Sequence, residues 1–170
     1  KLFKNCGINV PESQLINSLN QEVTIKPPLV LKAQTLSGKR AEGGGIVIVN
    51  SSESIVNSLK ELFSKTVNGE KVDRVLVEEA VAIEKEYYLS FSYSTETRGP
   101  VLTFGKGGTG VEDKGAESFS VNILKGYSGE NVPEELAEVA KKLWGVFTKY
   151  DLELAEINPL VVGKDGKMYA

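Results

Sequence analysis

The chain has 170 residues and a formal net charge of -3, with 41% hydrophobic and 25% charged residues, the balance of a globular protein of one domain or two small lobes. No block of like charge stands out, which argues against nucleic acid or a membrane as partner, and no run has the length of a membrane-crossing helix or the pattern of a signal peptide. One cysteine, Cys6, leaves no internal disulfide framework and points to a reducing compartment, and the lack of any histidine excludes Ser-His and Cys-His triads and histidine-ligated zinc.

The first residues, to Asn9, read as the end of a helix with Gly7 as its C-cap. Pro11-Glu12-Ser13-Gln14-Leu15-Ile16 reads as the start of a second short helix. Pro27-Pro28 breaks structure and introduces Leu29-Val30-Leu31-Lys32, an apolar run of strand length closed by a lysine. Ala33 to Gly45 is a loop containing Lys39, Arg40 and the triplet Gly43-Gly44-Gly45. It suits either a solvated hairpin loop or a basic cover for phosphates, because glycines let backbone approach a ligand and Lys39 and Arg40 supply charge. It is not a Walker A loop: Gly-Lys-Ser/Thr is missing, and a strand, Ile46 to Asn50, follows where a helix is required.

Ser52 to Ser64 has a helical stripe, Ile55, Leu59, Leu62 and Phe63, with Ser51 or Ser52 as cap. Asn68-Gly69 signals a turn. Val75-Leu76-Val77 is a strand that ends at Glu78-Glu79, and Glu86 to Tyr93 is another, with Tyr87, Leu89, Phe91 and Tyr93 on one face. Arg98-Gly99-Pro100 turns the chain into Val101 to Phe104. Gly105-Lys106-Gly107-Gly108-Thr109-Gly110 matches the dinucleotide fingerprint letter for letter. That reading fails, because the glycines do not open a helix: Val111 to Gly115 carries a further glycine and no amphipathic period. A flexible loop and a phosphate-proximal loop both remain open.

Pro133 to Tyr150 is the clearest helix, with Leu136, Val139, Ala140, Leu143 and Phe147 on its apolar face. Leu152 to Val162 follows. Alternation there predicts a strand, interrupted by Glu156-Ile157-Asn158-Pro159, and proline implies a bulge, turn or edge. A plain edge strand and a strand presenting oxygens to magnesium both suit this stretch. Lys164-Asp165-Gly166-Lys167 turns the chain into a hairpin. The interspersed elements and short turns predict an α+β fold with largely antiparallel sheets. The chain starts at Lys1 and its last residues read as a strand in progress, so a fragment of a longer protein is expected.

Lys32 at a strand end, a basic glycine loop, Glu78 with Lys85-Glu86 downstream, and above all Glu156-Ile157-Asn158-Pro159-Leu160-Val161 are similar to one family. The chain resembles, along its whole length, the ATP-grasp part of the nucleotide-binding (β) subunit of succinyl-CoA synthetase and the corresponding part of ATP-citrate lyase. The resemblance implies an ATP-grasp fold of two lobes, residues 12–81 as one, residues 1–11 and 82–170 as the other, with the nucleotide held between them. It implies ATP or GTP with magnesium as cofactors, and coenzyme A bound elsewhere. Lys32 would meet the phosphates, Lys39 and Arg40 would cover them, and Glu78 with the backbone at Val81 would face the base. Glu86 would accept from the ribose hydroxyls, Asn158 would ligate magnesium, and Glu156 would be catalytic, meeting a phosphohistidine. A further aspartate ligand would fall past Ala170, so the isolated piece is expected to be inactive.

The missing histidine then acquires a meaning: the phosphorylated histidine would belong to a CoA-binding partner subunit or domain, in the cytoplasm or a mitochondrial matrix. Departures exist as well. Lys39 and Ala41 flank Arg40 where the family has glycines, and Thr109-Gly110 is inserted after Gly107-Gly108. The leading expectation is an ADP-forming acid–CoA ligase. An ATP-citrate lyase or citryl-CoA synthetase is the alternative within the class. A non-catalytic nucleotide-binding or assembly module is the alternative outside it.

Overall fold

A computed structural model describes residues 2–36, 41–107 and 115–170. In chain order the elements are α1 (Leu2–Asn5), β1 (Ser13–Ile16), β2 (Leu29–Ala33), β3 (Ile46–Val49), α2 (Ser52–Ser64), β4 (Thr66–Val67), β5 (Glu70–Lys71), β6 (Val75–Glu79), β7 (Ile83–Ser94), β8 (Gly99–Lys106), β9 (Glu117–Ser120), α3 (Glu134–Lys149), β10 (Leu154–Gly163) and β11 (Met168–Tyr169). The chain divides into two compact units, Pro11–Val81 and Lys1–Val10 with Ala82–Ala170. Every strand pairing among the described residues is antiparallel.

In the unit Pro11–Val81 the sheet order is β1-β6-β2-β3. Leu29, Leu31 and Ala33 of β2 are buried, and so are Val75 and Val77 of β6, Val49 of β3 and Ile16 of β1. They pack with Ile55, Leu59 and Leu62, the stripe of α2. Each of the leucine, isoleucine and valine side chains contributes roughly 1.5–3 kcal/mol on leaving water. Residue Ser51 does stand at the N-cap of α2, but its hydroxyl bonds no helix N–H and meets the Ser54 hydroxyl at 3.2 Å. Asn68, at φ 50, and Gly69 form the turn between β4 and β5.

Ser13 to Ile16 corrects the sequence expectation. It is strand β1, not a helix, because Ser13, Gln14, Leu15 and Ile16 pair with Glu78, Val77, Leu76 and Val75 of β6. A partner some sixty residues away in sequence outweighs the helix-start signal of Pro11-Glu12, as tertiary context commonly does for short segments.

The other unit has sheet order β11-β10-β7-β8-β9. One face is covered by α3, whose buried Leu136, Leu143 and Phe147 meet Leu89 and Phe91 of β7 and Ile157 and Leu160 of β10. Phe91 is the centre of this core, fully buried, with ring centroids 5.1 Å from Tyr127 and 5.2 Å from Trp144. Pro100 lies inside β8, paired with Tyr93, and the chain turns before it at Arg98, which takes φ 53. No helix among the described residues is long and apolar enough to cross a membrane.

Candidate functional site

Strand alternation decides what the first sheet shows to solvent. Since Leu29, Leu31 and Ala33 point under α2, Val30 and Lys32 belong to the opposite face. Register puts Lys32 beside Leu76 and Ile46, and Glu78 beside Val30 and Ser13. Apart from Ser13, the remaining residues of the described strands on this face are aliphatic, and several are open: Leu15 is 40% exposed and Ile48 67%. Lys32 and Glu78 are the charged residues that the described strands place on it, and they form an ion pair, Nζ to Oε2. The Glu78 side chain is 14% exposed and that of Lys32 36%. Val81 is the last residue of this unit and half-buried; just before it, the Ala80 N–H donates to Pro28 O at 2.9 Å. Lys39 and Arg40 lie outside the described residues.

The second sheet also keeps one face away from its helix, and this one is polar. Leu89 and Phe91 are in the core, so Glu86, Tyr88, Ser90 and Ser92 alternate onto the other face. Register aligns Glu156, Ser90, Thr103 and Ser118 in one row across β10, β7, β8 and β9. Thr103 and Ser118 exchange a hydroxyl hydrogen bond of 3.1 Å, and Tyr88 Oη donates to Glu156 Oε2 at 3.2 Å. Ser90 is 2% exposed.

The Asn158-Pro159 break is a β-bulge. Ile157 pairs with Leu89 and Leu160 with Tyr87, so that two residues of β10, Asn158 and Pro159, stand against one of β7, Tyr88. The extra residue restores the phase, so Leu160 returns to the core after Ile157, while Glu156 and Asn158 both stand exposed on the polar face. Without the bulge, Leu160 would face outward. The Asn158-Pro159 peptide is cis.

Glu86 is set between fixed neighbours. It pairs with Val161, and its carbonyl accepts from the Gly107 N–H at 2.9 Å. A side chain at Gly107 would collide with backbone, since a Cβ there would stand 2.6 Å from Tyr87 N and 2.8 Å from Glu86 C. Lys85 and Tyr87, pointing to the helix side, both reach Glu135 Oε1 in the first turn of α3, at 3.4 and 2.7 Å. That carboxylate pushes the Tyr87 phenol up to about 12, chiefly through the hydrogen bond, with partial burial adding to it. In turn the Tyr87 phenol, with Lys85 second, holds Glu135 below the usual carboxylate range.

Gly105 lies within β8 and Gly107 directly follows it, against β7, so these glycines open no helix. Gly108 to Gly110 fall outside the described residues. No group of three His, Cys, Asp or Glu residues suited to a metal occurs among the described residues. The exposed Asn158 nonetheless offers an oxygen of the kind a magnesium shell takes, because that ion commonly keeps one or two protein ligands beside water and phosphate.

Comparison with known proteins places this architecture. The profile of the ATP-grasp domain matches residues 1–127, and the chain belongs to the ATP-grasp family. Among curated relatives, the succinate–CoA ligase [ADP-forming] subunit beta of Methanocaldococcus jannaschii is 35% identical over 192 aligned positions, covering 99% of this chain and 52% of the relative. The ADP-forming sulfoacetate-CoA ligase subunit SauC of Bilophila wadsworthia is 32% identical, covering 99% and 51%. The chain thus spans about half the length of these relatives. Solved structures share the fold. ATP citrate lyase from Methanothrix soehngenii aligns with TM-score 0.71 at 21% identity, covering 93% of this chain and 42% of that one. A dinucleotide-forming acetyl-coenzyme A synthetase of Ca. Korarchaeum cryptofilum aligns with TM-score 0.73 at 20% identity, covering 98% and 83%.

Several features of these faces escape sequence reasoning. The Lys32–Glu78 pair requires knowing that β2 lies beside β6, and the contact of Tyr88 with Glu156 that β7 lies beside β10. Strand β9, Glu117-Ser118-Phe119-Ser120, has too polar a composition to signal a strand.

Proposed function

We propose that the chain is the nucleotide-binding portion of an ADP-forming acid–CoA ligase. It uses ATP or GTP with magnesium to phosphorylate a histidine on a CoA-binding partner subunit or domain, which then drives acyl-CoA formation. The observation that carries the nucleotide reading is the open face of β1-β6-β2-β3, a largely aliphatic surface with Lys32 set in it. Such a surface suits a flat base, and a lysine beside it suits phosphate oxygens as a point charge. The acid–CoA part rests on relatives named for that activity, which the chain matches along nearly all its length.

In this reading each unit supplies part of the chemistry. Lys32 neutralises phosphate charge, with Lys39 and Arg40 assisting. Glu78 and the backbone at Val81 face the base edge, and Glu86 accepts from the ribose hydroxyls. Glu156 receives the incoming histidine side chain of the partner. Asn158 would hold magnesium, which when bound neutralises and orients the phosphates. Phosphoryl transfer needs positioning and charge neutralisation above all, so a chain of lysines, acids and hydroxyls without a nucleophile of its own can perform it. Relatives of similar identity are named for succinate and for sulfoacetate, so the likeness is compatible with more than one acid.

The test uses the full natural chain with its copurifying partner. Labelled γ-phosphate of ATP, with magnesium, is expected to appear on a histidine of the complex, and Lys32→Ala to reduce that labelling by about tenfold or more. No labelled histidine in the parent, with Lys32→Ala indistinguishable from it, would overturn the reading.

A further inference from the structure

We infer that Glu135 is a positioning residue for the ribose contact: it accepts from Lys85 and Tyr87, on either side of Glu86, and so fixes the stretch of β7 from which the Glu86 carboxylate meets the ribose hydroxyls. The inference rests on the nucleotide reading above. Tyr87 Oη donates to Glu135 Oε1 at 2.7 Å, and Lys85 Nζ to the same oxygen at 3.4 Å. Both side chains leave β7 on the helix side, while Glu86 between them leaves on the other. Holding the two outer residues therefore sets the roll of the strand at the middle one. The shorter bond, from Tyr87, carries most of the restraint.

The sheet by itself restrains this roll weakly. Pairing of β7 with β10 is irregular on both sides of the stretch: Asn158 and Pro159 stand opposite Tyr88, and Glu84 is passed over between the pairs Val162 with Lys85 and Gly163 with Ile83. Between the two irregularities lie the pairs Leu160 with Tyr87, Val161 with Glu86 and Val162 with Lys85. Such irregularities bend a strand and change its local twist. Toward β8 the ladder ends at Lys106 with Tyr87, and beyond it the Gly107 N–H donates to Glu86 O. Glu135 adds its restraint from a rigid element, because Leu136 next to it is fully buried and seats the first turn of α3 against the sheet. The Tyr87 ring is steadied in turn by Phe104, centroid to centroid 5.8 Å. A binding side chain needs support of this kind, since a displacement of about half an ångström already spoils its geometry. An acid in a helix's first turn also serves the helix dipole, but Glu134 can do as much from the same turn. The bonds across to β7 set Glu135 apart.

The experiment measures affinities of the full natural chain for ATP and for dideoxy-ATP, which lacks both ribose hydroxyls, each with magnesium. The chains compared are the parent, Glu135→Ala, Glu135→Gln and Glu134→Ala. The Glu135 side chain is 42% exposed, so its removal leaves the core intact. The expected result is that E135A narrows the preference for ATP over dideoxy-ATP about threefold or more, through loss of ATP affinity alone. E135Q keeps an oxygen for Tyr87 and should restore part of the preference, and E134A should keep all of it. Should E135A fail to fold, as read by its circular dichroism melt, Tyr87→Phe removes the shorter bond and is used in the same comparison. An unchanged preference in the folded variant, equal losses for the two nucleotides, or the same narrowing in E134A overturns the inference. A parent that binds both nucleotides equally overturns instead the ribose role of Glu86, and one that binds neither overturns the nucleotide reading.

Discussion

The two sheets are built alike and finished differently. Each is antiparallel, each buries one face under a helix, α2 or α3, and each leaves the other face open. On the first sheet the open face is largely aliphatic, with one ion pair, Lys32 with Glu78. On the second it is a row of oxygens, Glu156, Ser90, Thr103 and Ser118, with Tyr88 donating to Glu156. Folding requires only that the helix-side face be apolar. The unlike open faces are thus free to carry function: in the proposed reading the first meets the phosphates through Lys32, and the second carries Glu86, Glu156 and Asn158.

Adjacent residues on one strand separate the two roles most sharply. Leu31→Ala removes a fully buried side chain and is expected to destabilise the unit Pro11–Val81 by about 2–5 kcal/mol in chemical denaturation. Lys32→Ala, one residue on, should cost less, about 1–2 kcal/mol, chiefly because it leaves the largely covered Glu78 carboxylate without its partner. Its main effect should fall on nucleotide affinity. Equal destabilisation by the two would break the division between core face and open face.

Gly107→Ala probes the second sheet. The added methyl would press on the backbone of Glu86 and Tyr87, displacing β8 from β7 at a cost of about 1–3 kcal/mol. Nucleotide affinity should fall with it, because Glu86 sits on the displaced stretch. A melt unchanged from the parent would contradict the close approach.

A smaller effect is expected from Tyr87→Phe, and its sign follows from linkage. The Tyr87 phenol is raised from 10.0 to about 12 in the folded chain. Its contribution is present in full below the unfolded value and is lost as pH rises through the folded one. Urea stability should therefore fall between about pH 10 and 12 more steeply in the parent than in Tyr87→Phe. Tyr127 is raised to about 12 as well, mainly by burial, so the slope is reduced rather than abolished. The smallest change is Tyr88→Phe. It removes one exposed 3.2 Å hydrogen bond and should alter stability by less than about 0.5 kcal/mol while slowing labelling of the partner histidine. Stability lost without any change in labelling would mark the bond as structural.

The helices were legible because each carries its own apolar stripe: Ile55, Leu59 and Leu62 in α2, Leu136, Leu143 and Phe147 in α3. So were the strands with strong β-formers, such as Val75 to Val77 and Tyr87 to Tyr93. At Asn158-Pro159 proline chemistry left a bulge, a turn or an edge open, and only the pairing of β10 with β7 decides for a bulge. The short strand β1 was not, since four residues reading Ser-Gln-Leu-Ile become a strand only through pairing with β6. Of the site, the individual acids and Lys32 could be singled out by motif, but the partners they keep in the fold could not. Lys32 and Glu78 stand 46 positions apart in the sequence and meet only because β2 and β6 are neighbours.

In the proposed reaction Lys32 and Glu156 have separate duties, one on the phosphates of the bound nucleotide and the other on the incoming histidine. Equilibrium affinity for magnesium-ATP, measured by calorimetry on the full natural chain for Lys32→Ala and for Glu156→Gln, addresses that directly. Lys32→Ala should weaken binding roughly tenfold to a hundredfold, while Glu156→Gln stays within about twofold of the parent. Equal losses in the two variants, or a larger loss in Glu156→Gln, would contradict it.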